Sequence, residues 1–414
     1  MEKRRVVITG LGSVSPNGIG NAAFWEGLRN GKNCVERTTF FDPKEHTSQV
    51  AAEIKEFDPT KYLSPKELRQ VHRVVPMALA ATKEALDDAS LFGKQEYEDK
   101  IGVVLGTGAG GLGYGEGQIK TMYMEGLRKV SPYATTGTFV GMLSSEISIH
   151  FGFKGMSLVV STGCTSGSDA MGYAFNNIRF GMSDILITGG AEACITPAIV
   201  GAFCRMGALS TNWNQTPKKA SRPFNKDRDG FVMGEGAWIF IFEELSHALN
   251  RGAKIYAEVK GYGATCDAYH KTVPEPTGRN LVRAMEIAVA DAGVSKNDID
   301  YINLHGTSTV LNDAKESHAI KQYFGKKAYS IPMSSFKSMI GHPQGASGAC
   351  GMAGTVLAMK NRFIPPTINY ENPDPECDLD YVPNKGREAD LRTCLVNSIA
   401  FGSKNSAIII SKMK

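Results

Sequence analysis

The sequence predicts an α/β fold built from two like halves, and three observations carry that reading. Short apolar runs that suit buried strands alternate with helical patterns along the whole chain. The order of these runs repeats, although residue identity between the repeats is low. Each repeat also has a turn of small residues that opens a helix, Gly163-Cys-Thr-Ser-Gly167 in the first and Gly345-Ala-Ser-Gly-Ala-Cys-Gly351 in the second. The boundary falls near Leu245 to Lys254, giving halves of 1–250 and 251–414. Strands of this kind imply mixed or parallel sheets covered by helices. Two such halves pressed together make a five-layered core.

Taken in order, Val6-Val-Ile-Thr-Gly-Leu-Gly12 reads as a buried strand ending in a glycine turn, and Pro76 to Ala89 as an alanine-rich helix. Ile101 to Gly106 is a second buried strand, followed by a glycine-rich loop from Gly106 to Gly117. Within that loop, Gly108-Ala-Gly-Gly-Leu-Gly113 superficially matches a dinucleotide fingerprint. It lacks the first-strand position, the spaced acidic residue and a helix opening at the glycines, so nucleotide binding is set aside. Met156 to Val160 is a short strand, and the spacing of Met171, Ala174, Phe175 and Ile178 predicts a helix. Asp184 to Gly190 is the next strand. In the second half Lys254 to Gly263 echoes Arg5 to Gly12. A helix follows from Asn280 to Ala292, and Ile299 to Gly306 echoes Ile101 to Gly106. Thr393 to Ser398 and Ser406 to Ile410 are the last strands.

Composition narrows the function classes. Of 414 residues, 42% are hydrophobic and 21% charged, the balance of an ordinary soluble enzyme. A net charge of +4 is too small to argue for nucleic acid, yet it permits local basic patches for an acidic partner. Eight cysteines are scattered with no CxxC pair, which argues against a disulfide framework or a metal site and favours a reducing cytoplasm. Met1-Glu-Lys-Arg-Arg5 leads straight into a strand. No apolar run there is long enough for a signal peptide or membrane span.

Cys164 stands where a strand passes to a helix. A helix N-terminus offers free N–H groups and partial positive charge, which favour the reactive thiolate. Gly163, Ser166 and Gly167 leave room for a substrate. A lone cysteine is more often an inert core residue, but two histidines in glycine-flanked turns shift the balance. They are His305 in His-Gly-Thr-Ser-Thr309 and His342 in Phe336-Lys-Ser-Met-Ile-Gly-His342. Strand ends are where α/β folds gather reactive groups. A cysteine and two histidines suit acyl transfer followed by chemistry on a second acyl group.

These motifs, together with Asn225-Lys-Asp-Arg-Asp-Gly-Phe-Val-Met-Gly-Glu-Gly236 and Asn397-Ser-Ile-Ala-Phe-Gly402, resemble the β-ketoacyl synthases of the thiolase-like superfamily over the whole chain. Ser161 to Asp169 and Pro366 to Pro383 look closest to the ketosynthase alpha subunit of type II polyketide synthases. The resemblance implies a thiolase-like αβαβα fold and a decarboxylative Claisen condensation. Cys164 would carry the acyl chain, with His305 and His342 at the malonyl thioester. The N–H groups of Cys164 and Phe401 would form an oxyanion hole, with Phe401 and Phe231 as gates. Lys337 has two readings: it tunes the histidines, or it pairs with Glu316 in a buried ion pair, and the second is preferred. Asp313 and Glu316 are otherwise read as acidic residues favoured at a helix start. Thr272 and Thr307 would contact the phosphopantetheine arm, while Lys66, Arg69 and Arg205 would meet an acidic acyl carrier protein. No bound cofactor or metal is implied.

The implied partner is a chain-length factor in a heterodimer, with chain length set in a cavity the two share. The alternative is a homodimeric β-ketoacyl-ACP synthase II of fatty-acid elongation. A non-catalytic partner subunit is opposed by the presence of Cys164. A degradative thiolase is disfavoured because that branch has a second cysteine where His342 stands. Two stretches depart from the family's pattern: Pro343-Gln344 follows His342 where a small polar residue and leucine are usual, and Ser403-Lys-Asn405 follows Gly402 where glycines or aromatics are usual; Thr307-Ser-Thr309 is closer to elongation synthases than to most polyketide alpha subunits.

Overall fold

The computed structural model describes residues 3–413. Met1, Glu2 and Lys414, at the outer ends of the two sequence halves, lie outside the described residues. Ten strands carry the architecture. In the first half they are β1 (Val6–Ser15), β2 (Ile101–Gly106), β3 (Ser157–Val160), β4 (Ile185–Glu192) and β5 (Gly236–Glu244). In the second they are β6 (Ala257–Cys266), β7 (Tyr301–Asn303), β8 (Met333–Ser334), β9 (Thr393–Ala400) and β10 (Lys404–Ser411). The first half is ordered β3-β2-β4-β5-β1 and the second β8-β7-β9-β10-β6. Each step matches its counterpart in direction: parallel, parallel, antiparallel, antiparallel. Even the irregularities correspond, since the β1–β5 register shifts between Ile8 and Gly10 and the β6–β10 register between Val259 and Gly261. A short antiparallel pairing of Val6–Ile8 with Ala257–Val259 joins the halves.

Helices complete five layers. On one outside lie α1 (Val74–Asp88) and α3 (Met142–Phe151), with α2 (Leu112–Glu125) between them in sequence. The middle layer is α4 (Ser166–Arg179) and α8 (Ser347–Asn361), which touch strands of both halves. In α8 every residue but the last two is buried, as a helix enclosed on all sides must be. The other outside carries α6 (Arg279–Ala292) and α7 (Val310–Phe324), while α5 (Pro197–Met206) lies beside the cavities described below. The expected duplicated five-layer α/β architecture is therefore present.

Two local expectations are corrected. Gly10 and Gly12 do not end a strand; β1 runs through them to Ser15. A Cβ at Gly12 would stand 1.9 Å from the Ala81 carbonyl oxygen of α1, so glycine is there to let helix and strand approach. Gly261 and Gly263 serve the same purpose against α6, each 2.2 Å from a helix carbonyl by that measure. The expected loop from Gly106 to Gly117 is also cut short, because α2 begins at Leu112. Its Gly113 and Gly115 pack against the side chains of His72, Thr196 and Thr138.

Candidate active site

The turn Gly163–Thr165 takes the chain from β3 into α4 and places Cys164 in the interior. Gly163 has φ +74°, a conformation that favours glycine, and a Cβ there would stand 3.4 Å from the Ala400 Cβ. Two cavities meet at Cys164. One, of about 320 Å³, is lined by His305, His342, Phe231, Thr272 and Thr307. The other, of about 630 Å³, runs between α2 and α5 and is walled by Leu112, Ile119, Ile199 and Phe203. Phe401, Gln344 and Met206 line both.

The expected resting thiolate is corrected. Burial pushes the Cys164 thiol up to about 12, and Glu192 pushes the same way. Lys337 and the backbone N–H groups of Phe401 and Cys164 act in the opposite sense without prevailing. Those two N–H groups are the pair expected to form the oxyanion hole. The thiol hydrogen-bonds to Gln344 Oε1, with Sγ 3.6 Å away.

His305, just after β7, and His342, just after the short helix Lys337–Ile340, come together from two separate loops of the second half. Their rings lie edge to face, with centroids 5.2 Å apart. Phe231 packs edge-on against His342 and against Phe203, with ring centroids 5.4 Å apart in both pairs. Burial holds both histidines well below their ordinary value, and Lys337 adds to the effect. Both imidazoles are thus neutral near pH 7 and able to donate a hydrogen bond without carrying charge.

The preferred ion pair between Lys337 and Glu316 is absent among the described residues. Glu316 instead accepts the backbone N–H groups of His305 and Gly306, each at 2.8 Å. Asp313 takes those of Thr307 and Ser308 and also that of Phe224. Both acids are fully buried, so they are more than helix-start residues: they lock the loop that presents His305. Burial drives Glu316 up to about 7 and also lowers Lys337. Lys337 acts on Cys164 and both histidines through its charge alone.

Sequence reasoning missed Glu192. It lies at the end of β4, fully buried, and accepts the N–H groups of Gly108 and Gly345 together with the Thr107 hydroxyl. One carboxylate thereby ties the glycine-rich loop of the first half to the histidine loop of the second. The glycines without side chains at 108 and 345 were the available signal, since a buried row of free N–H groups requires an acceptor.

Of the other expected residues, Thr307 is buried at the smaller cavity, bonded to Thr309, and Thr272 lines its mouth half-buried. Arg205 is exposed beside Met206 and Gly207 of that mouth. Lys66 and Arg69 are exposed on a separate short helix, Pro65–Leu68 and the residue after it. There the Arg69 carbonyl accepts the Tyr114 hydroxyl, and neither residue lines a cavity. Among the described residues no cluster of His, Cys, Asp and Glu could hold a metal ion, and no helix is long and apolar enough to cross a membrane.

A doubled α/β sheet with a cysteine and two histidines at one buried cavity defines a class, the thiolase-fold acyltransferases. The chain belongs to the β-ketoacyl synthase family: residues 3–248 match the "Beta-ketoacyl synthase, N-terminal domain" and residues 256–371 the "Beta-ketoacyl synthase, C-terminal domain". It is 45% identical over 412 residues to 3-oxoacyl-[acyl-carrier-protein] synthase 2 of Synechocystis sp., covering 100% of this chain and 99% of the relative. It is 42% identical over 415 residues to a putative polyketide beta-ketoacyl synthase 1 of Streptomyces halstedii, covering 99% and 98%. The solved ishigamide ketosynthase/chain length factor superposes with a TM-score of 0.92 at 35% identity, covering 100% of both chains. The chain is a β-ketoacyl-ACP synthase in the coarse sense; identity at this level does not separate fatty-acid from polyketide relatives.

Proposed function

We propose that this enzyme extends acyl chains in the manner of a fatty-acid elongation synthase, with Cys164, His305 and His342 as its catalytic residues. The observation that carries the reading is the position of the Cys164 sulfur where the two cavities meet. The larger, mostly apolar cavity suits the alkyl part of a bound chain, and the smaller one suits an incoming malonyl group on a phosphopantetheine arm. A poly-β-ketone would bring a carbonyl at every second carbon into walls that offer few donors. The 3-oxoacyl-[acyl-carrier-protein] synthase 2 of Synechocystis, at 45% identity, supports the reading.

In the first half-reaction the Cys164 sulfur attacks the carbonyl of an acyl thioester on the carrier protein. The new carbon–sulfur bond replaces the old one, and the cysteine proton leaves with the carrier thiol. The N–H groups of Cys164 and Phe401 stabilise the tetrahedral oxyanion. In the second half-reaction the malonyl thioester loses carbon dioxide, and its oxygen gains enolate charge beside the neutral His305 and His342. The enolate carbon then attacks the Cys164 thioester, the carbon–sulfur bond breaks, and the cysteine sulfur takes up one proton. Thr272 and Thr307 bond the arm's amides, Arg205 meets the carrier protein, and Phe401 and Phe231 gate the passage.

A second reading, an iterative type II polyketide ketosynthase paired with a chain-length factor, is supported by the Streptomyces halstedii relative and by the Ser161–Asp169 and Pro366–Pro383 motifs. The test is reconstitution with acyl- and malonyl-carrier protein, following both half-reactions by mass spectrometry. Cys164→Ala should show no acyl adduct. His305→Ala and His342→Ala should still acylate but lose roughly 10²- to 10³-fold in condensation. Condensation surviving in Cys164→Ala would overturn the mechanism, and a β-ketoacyl product extended once and released favours elongation over polyketide assembly.

A further inference from the structure

We propose that Gln344 is a further catalytic residue, whose carboxamide accepts the Cys164 thiol at rest and donates an N–H to the same sulfur when the acyl carbon–sulfur bond breaks. The inference rests on the reading of Cys164 as the acyl-carrying residue. Gln344 stands where the family resemblance leads one to expect leucine. It is buried, and its φ of +39° sets it in the tight turn Gln344–Ala346 that opens α8. Its carboxamide oxygen accepts the Cys164 thiol, with Sγ 3.6 Å away. Its nitrogen is held only by long contacts, 3.5 Å to Met233 Sδ and 3.4 Å to the His342 carbonyl oxygen. Like Cys164 it borders both cavities.

A buried sulfur leaves poorly as a bare thiolate, because enclosure disfavours its charge. Burial pushes the Cys164 thiol up to about 12, so the departing sulfur needs a donor. The groups around it are otherwise committed. The N–H groups of Cys164 and Phe401 hold the oxyanion of the tetrahedral adduct, so at its collapse they are on oxygen. His305 and His342 serve the malonyl thioester oxygen. Lys337 acts on the sulfur through its charge alone. The Gln344 carboxamide remains, and turning it gives up only long contacts. At rest the thiol proton and the His342 carbonyl oxygen together keep its oxygen toward the sulfur. Acylation removes that proton and frees the carboxamide to turn. Once the enolate carbon has bonded to the acyl carbon, the carbonyl re-forms and the carbon–sulfur electron pair passes to sulfur. A Gln344 N–H then bonds the thiolate until it takes one proton from water. A hydrogen bond to a charged acceptor is about twice as strong as a neutral one, so the bond forms when the charge does.

The test separates the release of sulfur from its exposure. Full-length protein is loaded to completion with a saturated acyl group, malonyl-carrier protein is added, and intact-mass spectrometry follows loss of the adduct. Unloaded protein is alkylated with iodoacetamide, a reaction that forms no oxyanion and leaves both backbone N–H groups to the thiolate. Thermal unfolding checks the fold. In Gln344→Met, which keeps length but has no donor, adduct loss should slow about tenfold while Cys164 alkylation stays within about twofold of wild type. Gln344→Leu, the residue expected from the resemblance, gives a second measurement if the first variant does not fold. Equal slowing of both reactions would mean that Gln344 only places the sulfur and would overturn the proposal, as would unchanged adduct loss in a folded variant. Failure of wild-type Cys164 to load at all overturns the acyl-carrier reading instead, a separate result.

Discussion

At the scale of residues, the site is a set of groups whose charges burial has rearranged. Glu316 shows this most directly. Its folded value of about 7 stands above its ordinary 4.5 because desolvation outweighs the two N–H bonds it receives. The folded protein therefore holds this proton more tightly than the unfolded chain. The resulting stabilisation is fully present below about pH 4.5 and is lost as the pH rises to about 7, a change of at most roughly 3 kcal/mol. In urea unfolding at pH 5 and pH 7.5, Glu316→Gln should lose less stability across that interval than wild type. Equal losses would mean that Glu316 does not titrate there. The sequence made Cys164, His305 and His342 legible, because glycine-flanked turns after apolar runs mark strand ends. It could not reveal their protonation. The thiol is raised rather than lowered because helix-end polarity is a partial charge, whereas enclosure removes the whole hydration shell. The role of Lys337 was equally hidden, since pairing with Glu316 depends on which partner the fold brings into reach.

At the scale of elements, the glycines decide how closely helices meet the sheets. Their placement was legible, but their meaning was ambiguous, because the same residue ends strands and permits close approach. Only the register of β1 against α1 resolves that at Gly10 and Gly12. The two cases give opposite predictions. Gly12→Ala drives a methyl group to 1.9 Å from the Ala81 carbonyl oxygen, so β1 and α1 must separate, at a cost of about 3 kcal/mol. Gly117→Ala, in α2 with nothing within 4 Å of the new methyl, should raise stability by about 0.5–1 kcal/mol from helix propensity. Thermal and urea unfolding measure both. A neutral Gly12→Ala would show that strand and helix have slack between them. The repeat itself was legible from order alone, as strand-for-strand equivalence of the two sheet halves demands only pattern and not identity.

At the scale of the whole molecule, the larger cavity and an exposed apolar surface share a wall. Helix α2 lines that cavity with Leu112 and Ile119, yet both side chains are exposed, so this wall is thin and open to one side. The same helix shows Tyr123 and Met124 to solvent, and Leu127 in the turn after it, Ile149 on α3 and Leu158 on β3 are exposed as well, α3 packing against β3. Among the described residues strand β3 is an edge, paired only with β2 and without blunting charges. A surface of this kind calls for a covering partner. On the elongation reading that partner is a second copy, so native mass spectrometry should give twice the 44.7 kDa chain. The double change Leu158→Asp and Ile149→Asp should convert it to monomer. If the second copy also closes the cavity, the monomer should still acylate Cys164 with short chains while losing long ones. Equal loading of both lengths would separate the dimer from chain selection. Recovery of a different, similar-sized chain from the native host would replace the second copy with a dedicated partner and favour the polyketide reading.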